Sequence, residues 1–186
     1  MFLKITSGSL GGRKFRVPSS DLRPTGEKVR AAYFNTLFSL MDFNNKQFLD
    51  LFSGSGAFAL ESISRGFGSA VSVEKNSICT EQIKKSAADL NVENLITVFK
   101  SDVYTFDFKL LSGKMKFNAI YIDPPYADGD KMTQLVKKVV DSDVIAQSCV
   151  ICVEGNSFLE WEKAGWDKKK KKFGDTHLSF IYPGRN

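Results

Sequence analysis

The chain holds only three cysteines, one histidine and five prolines in 186 residues, and no uninterrupted apolar run approaches the roughly 20 residues that a membrane-spanning helix needs. An odd cysteine count argues against a disulfide framework of the kind small secreted proteins use and fits a reducing compartment. The opening Met1-Phe2-Leu3-Lys4 lacks a signal-peptide h-region followed by a cleavage site. These absences lead us to expect a soluble, cytoplasmic protein. The single CxxC, Cys149 to Cys152, lies in Ser148-Cys149-Val150-Ile151-Cys152-Val153, an apolar β-branched run that reads as a buried strand. No second CxxC or histidine pair completes a tetrahedral site, so packed thiols and no metal are expected. His177, just ahead of an apolar stretch, reads as a structural or surface imidazole.

What is present suits one well-buried core with a small appendage: 42% of the residues are hydrophobic, in a chain rather short for two full domains. The formal charge of +5 and a sequence pI near 9.0 favour a polyanionic partner. Residues 1–45 differ from the remainder. Ile5 to Pro18 read as two short strands around a glycine-rich turn, and a loop through Arg23-Pro24-Thr25 leads to a helix with Thr25 as N-cap and Val29, Tyr33, Leu37 and Leu40 as its apolar stripe. From residue 46 to 186, strand-like runs at 47–52, 69–74, 95–99, 117–123 and 148–153 alternate with helix-like stretches at 57–65, 77–90, 104–112 and 130–141. That alternation is the pattern of a doubly wound α/β parallel sheet. Asn76 is placed to cap the 77–90 helix, whose buried face is Cys79, Ile83, Ala87 and Leu90. Residues 166–183 read as an antiparallel hairpin turned through Gly174-Asp175.

The first chemical constellation is Asp50-Leu51-Phe52-Ser53-Gly54-Ser55-Gly56, between a strand and a helix, where glycines let the backbone turn sharply and approach a ligand. Glu74 ends the next strand 20 residues after Gly54, a spacing suited to ribose hydroxyls, and Asp102 follows the third strand at the same sheet edge. Asp50 decides between cofactors. A carboxylate just before the glycine loop repels a pyrophosphate, which disfavours NAD or FAD, and attracts an ammonium. With Asp50 at the amino-acid end, Gly54 and Gly56 beneath the ligand, Glu74 on the ribose and Asp102 near the adenine, the set suits S-adenosylmethionine; Phe52, Ser53, Ser55, Lys75 and Val103 flank it.

The second constellation is Asp123-Pro124-Pro125-Tyr126, where two prolines stop an apolar strand and turn the chain out at the sheet edge that carries the first set. An exocyclic base amine is a poor nucleophile, because its lone pair is delocalised into the ring. Two acceptors on its N–H groups, the Asp123 carboxylate and the Pro124 carbonyl, can orient it for in-line displacement, and Tyr126 can stack on the base.

In order and type, these residues resemble the methyltransferases that act on adenine N6, cytosine N4, guanine N2 or glutamine amides. Gly8-x-x-Gly11-Gly12-Arg13-Lys14, Leu22-Arg23-Pro24-Thr25, Val29-Arg30 and Phe34-Asn35 narrow the resemblance to the bacterial RsmD family. Ala59 and Ser86 depart from the residues common there. The resemblance implies a Rossmann-like class I methyltransferase fold: a mostly parallel seven-stranded sheet with an antiparallel C-terminal hairpin and an N-terminal hairpin plus helix. It also implies a monomer that methylates guanine N2 in 16S ribosomal RNA within an assembling small subunit. Arg13, Lys14, Arg23, Thr25 and Arg30, with Arg16 and Lys28 nearby, are then expected at the RNA, on an unpaired or extruded nucleotide. Lys168 to Lys172 are either a further RNA contact or a guard against edge-strand aggregation. The rival readings are a DNA adenine-N6 or cytosine-N4 methyltransferase, for which the short chain leaves little room for target recognition, and a non-catalytic RNA-binding protein on the same fold. Protein glutamine methylation typically carries Asn-Pro-Pro-Tyr instead.

Overall fold

Antiparallel strands β1 (Phe2–Lys4) and β2 (Lys14–Arg16) open the chain, followed by helix α1 (Glu27–Phe38). This computed structural model describes residues 1–18, 25–113, 115–125 and 129–184. The alternating segment then forms β3 (Gln47–Leu51), α2 (Ala57–Ser64), β4 (Ser69–Glu74), α3 (Ser77–Asp89), β5 (Ile96–Lys100), β6 (Phe117–Ile122), α4 (Gly129–Val140) and β7 (Ile145–Gly155). The antiparallel hairpin of β8 (Trp166–Phe173) and β9 (Thr176–Pro183) completes a seven-stranded sheet in the order β5-β4-β3-β6-β7-β9-β8.

Strand alternation sends side chains to two apolar layers, one on each sheet face. Phe48, Ala119, Tyr121, Cys152 and Phe180 pack on one face with Tyr33 and Phe34 of α1, Phe58 and Leu60 of α2 and Ile83 of α3. Leu49, Leu51, Ile120, Ile122 and Ile151 pack on the other with Met132, Leu135, Val136 and Val139 of α4. The hairpin and α1 therefore share one core layer with the sheet: Ile5, Phe15 and Val17 belong to the first cluster. Cys149 and Cys152 fall in opposite layers, so they do not chelate together.

Three boundaries differ from expectation. Gly26, not Thr25, sits at the N-cap of α1, in extended backbone and with no side-chain cap bond, because the Thr25 hydroxyl is directed at Asp123. The helix expected at 104–112 reduces to a single 3-10 turn at Phe108–Leu110. Its Tyr, Thr, Phe and Asp residues are weak helix formers, and Phe106, Phe108 and Leu111 are buried without continuing a helical repeat. The last parallel strand starts at Ile145 rather than 148, with a register irregularity opposite Phe117–Ala119. Asn76 does cap α3, its Oδ1 accepting from the N–H groups of Ile78 at 2.9 Å and Cys79 at 3.2 Å, a cap worth about 1 kcal/mol. Among the described residues, no helix is long and apolar enough to cross a membrane.

Strand order reverses between β3 and β6: the chain builds outward through β4 and β5, then returns to lay β6 on the other side of β3. Open α/β sheets bind ligands at the carboxyl ends of the strands flanking such a reversal. Here those ends are Asp50-Leu51 and Ile122-Asp123, with Leu51 in register with Ile122.

Candidate active site

The turn after β3 is tightly folded. Phe52 has φ 64°, Gly54 φ 51° and Gly56 φ 73°, and a Cβ on Gly56 would stand 2.7 Å from Cγ1 of Ile83, so the left-handed backbone and the close approach of α3 both call for glycine. The N–H groups of Phe52 and Ser53 donate to the Val73 carbonyl at 3.1 and 3.2 Å, and Asp123 N–H donates to the Leu51 carbonyl at 3.4 Å. Both constellations are thus tied to the same strand ends. The Glu74 carboxylate links two loops, Oε2 accepting from Gly54 N–H at 2.8 Å and Oε1 from Asn76 N–H at 2.7 Å. Each oxygen keeps a lone pair for a further donor. Asp102, at the end of the neighbouring strand, accepts from Tyr104 N–H at 2.9 Å, and the Tyr104 ring lies edge-on to Phe52 at 5.3 Å. Val103 is buried beside it, while Lys75 is exposed.

Asp50 is 1% exposed, and its Oδ2 has no hydrogen-bond partner. Burial chiefly, with the nearby Asp123 and Glu74 charges, pushes its carboxyl up to about 8, against partial relief from the Ala59 backbone and Ser53. A buried, incompletely satisfied carboxylate beside a glycine turn is the electrostatic complement of a ligand ammonium, so the residues present fit the amino-acid end of S-adenosylmethionine.

Asp123 is partly buried at the reversal point. Burial, partly offset by the Thr25 hydroxyl donating to Oδ2 at 3.3 Å, leaves its carboxyl raised to about 6. Pro124 is half-buried and Pro125 exposed; Tyr126 lies outside the described residues. Next to Asp123 stands a residue that sequence reasoning passed over, Glu154 at the end of β7. Burial, with the Asp123 charge, raises its carboxyl to about 7, and its Oε2 accepts a hydrogen bond from the buried Tyr121 hydroxyl. The available signal was positional: Glu154 closes an apolar strand as Glu74 and Asp123 do.

The N-terminal basic residues divide. Arg30 is fully buried, donating to the Thr25 carbonyl at 2.6 Å and the Lys4 carbonyl at 2.9 Å and lying 3.9 Å from Glu61, so its expected RNA contact is withdrawn. Arg13 donates to the carbonyls of Asp89 at 3.0 Å and Leu90 at 3.3 Å, where a cation suits the C-terminus of α3. Lys14 and Arg16 are exposed on β2, and Thr25 sits against Asp123; Arg23 lies outside the described residues. Of the β8 lysines, Lys168 pairs with Glu162 at 2.9 Å and Lys170 with Glu160 at 3.3 Å, while Lys169 reaches the Ser39 hydroxyl at 3.2 Å. His177 contacts Phe158 edge-on at 4.6 Å and lies 3.2 Å from the Asp175 carbonyl.

The chain is similar to known proteins along most of its length. The family described as Conserved hypothetical protein 95 matches residues 3–182. The Ribosomal RNA small subunit methyltransferase D of Escherichia coli K12 is 31% identical over 173 residues, covering 91% of this chain and 84% of that protein. The solved structure of the Escherichia coli protein yhhF superposes with a TM-score of 0.82 over 100% of both chains at 26% identity. An RNA methyltransferase from Salinibacter ruber, solved with S-adenosyl-L-homocysteine, shares the fold at a TM-score of 0.62 and 13% identity, covering 88% of this chain and 95% of that one.

Proposed function

The chain belongs to the RsmD family of methyltransferases, with the Rossmann-like class I methyltransferase fold, and on that premise we propose that it transfers a methyl group from S-adenosylmethionine to the exocyclic N2 of a guanine in small-subunit ribosomal RNA. The observation that carries this reading is the meeting of Asp50 and Asp123 at one strand reversal, an ammonium acceptor and an amine acceptor on adjacent strand ends.

The donor supplies a methyl group on a sulfonium. Asp50 holds the ammonium of its amino-acid end, and Glu74 accepts from the ribose hydroxyls while fixing the glycine turn. Asp102 sits toward the adenine, with Phe52, Ser53, Ser55, Lys75 and Val103 around it. Asp123 and the Pro124 carbonyl each accept one N–H of the target amine, turning its lone pair toward the methyl carbon. Such orientation supplies several kcal/mol of barrier lowering without covalent participation. Pro125 fixes the turn and Tyr126 stacks on the extruded base. Thr25, donating to Asp123, holds the carboxylate in place. Acidic ends at the site and exposed bases such as Lys14 and Arg16 on β2 divide the labour: carboxylates meet the cationic donor, basic residues the RNA phosphates.

The test is nucleoside mass spectrometry after incubating the protein and S-adenosylmethionine with small-subunit rRNA, free and as assembled particles. N2-methylguanosine is the expected product. N6-methyladenosine, N4-methylcytidine or no methylation of either substrate would overturn the reading.

A further inference from the structure

We propose that Glu154 is a specificity-determining residue that accepts the N1–H of the target guanine, so that two neighbouring carboxylates read a donor–donor base edge. The inference rests on the guanine N2 reading above and gives that site its base selectivity.

The placement follows from strand register. β6 and β7 run parallel with Tyr121 opposite Cys152 and Ile122 opposite Val153, so the next positions, Asp123 and Glu154, emerge side by side at the carboxyl edge. Alternation sends both to the sheet face that carries Tyr121, Cys152 and Asp50. Glu154 is held there by design of the core beneath it. The Tyr121 hydroxyl donates to Oε2, and the Tyr121 ring is fixed by stacking on Phe58 at 3.6 Å and by the edge of Tyr33 at 5.0 Å. One carboxylate oxygen is therefore anchored by a rigid, buried phenol.

Methyl transfer as derived above uses Asp123 and Pro124 and leaves Glu154 without a role. Burial first, and for Glu154 also the Asp123 charge, makes these two carboxylates on adjacent strand ends resist ionisation, an arrangement that a ligand offering two adjacent N–H donors relieves. Among the amine-bearing bases, the ring nitrogen on the Watson–Crick side of the amine carries hydrogen only in guanine. In adenine and cytosine that nitrogen is an acceptor, and its lone pair would face the Glu154 carboxylate. A buried acceptor left against a lone pair is heavily penalised, and sites built on such pairing reject the wrong partner strongly.

The experiment uses the full chain and rRNA joined from segments, with guanine or 2-aminopurine at the methylated position that wild-type product analysis locates. 2-Aminopurine keeps the amine and lacks N1–H. Wild type is expected to favour guanine by about 100-fold in kcat/KM. Glu154→Gln should lower the guanine value by roughly 10- to 100-fold and leave 2-aminopurine within about threefold, so that the preference collapses. Tyr121→Phe, removing the hydroxyl that positions Glu154, should shrink the preference by a smaller factor while leaving affinity for S-adenosylhomocysteine unchanged, a split that a general loss of structure would not give. An unchanged preference in Glu154→Gln, or equal losses on both substrates, would overturn the inference while the guanine reading stands. Absence of N2-methylguanosine from wild type would overturn the guanine reading and this one with it.

Discussion

Asp50 and Glu61 are equally buried, each 1% exposed, yet their surroundings are opposites. Glu61, on α2, accepts from Thr6 N–H at 3.0 and 3.2 Å and from the Thr6 hydroxyl, pairs with Arg65 at 3.0 Å and lies 3.9 Å from Arg30. Every partner is internal, and they come from the N-terminal segment, α1 and α2. Asp50 keeps an oxygen with no partner, and burial pushes its carboxyl up to about 8. A saturated buried charge is a fastening, whereas an unsaturated one beside a glycine turn is kept for a ligand. The contrast separates framework from chemistry with the same side-chain group.

The largest expected effect breaks the fastening. Glu61→Ala leaves the buried Arg30 guanidinium without its carboxylate and should destabilise the fold by about 3–5 kcal/mol, a fall in melting temperature of roughly 10 °C or more by calorimetry. Next is the chemistry: Asp123→Ala should lower kcat for methyl transfer by at least about 100-fold, roughly 3 kcal/mol, with melting and S-adenosylhomocysteine binding retained. Near-normal turnover in a tritiated-methyl assay would remove Asp123 from the proposed role.

Asp50→Asn inverts the Glu61 result. It removes a buried carboxylate that has no cation in the ligand-free protein, so the melting temperature at pH 8 should rise by roughly 3–8 °C, about 1–2 kcal/mol, while titration calorimetry shows affinity for S-adenosylhomocysteine reduced at least about tenfold. The pH dependence shares this origin. A carboxyl raised from 3.8 to about 8 in the folded state contributes stability that is fully present below the unfolded value and is lost as pH rises through the folded one. Ligand-free wild type should therefore lose stability between about pH 4 and 8, and Asp50→Asn should flatten that slope. The smallest effect sharpens the picture at Asp123. Thr25→Val deletes the hydroxyl that partly offsets burial and holds the carboxyl near 6, so the acid limb of the pH–rate profile should move upward by a few tenths of a unit. No shift would place Thr25 outside the reaction centre.

The parallel strands were legible in the sequence as short apolar runs separated by turn signals, the lysine-rich β8 through the Gly174-Asp175 turn, and Asn76 announced α3 by a local bond to its own first turn. Asp50 and Asp123 were legible from the glycine turn and the prolines that follow them, and Glu74 from its place at a strand end 20 residues after Gly54. What stayed hidden depends on partners distant in the chain. Arg30 looks like any helix-surface arginine until Thr25, Lys4 and Glu61 close around it. Glu154 gains its meaning from Tyr121, 33 residues earlier, through strand register that no local pattern encodes. The 104–112 segment stands where the strand–helix alternation calls for a helix, yet aromatic packing holds Phe106 against Phe99 and Phe108 at 5.5 and 5.3 Å around a single turn.

Gly8 meets the other end of α2. A Cβ there would stand 1.9 Å from the Ser64 carbonyl oxygen, and that oxygen accepts from Ser9 N–H at 2.7 Å while the Ser64 hydroxyl donates to the Ser7 carbonyl at 2.6 Å. Helix α2 is eight residues long, a rod of about 12 Å, with the glycine turn at its head and this latch at its foot. One short helix thus ties the N-terminal hairpin to the turn proposed to hold the methyl donor.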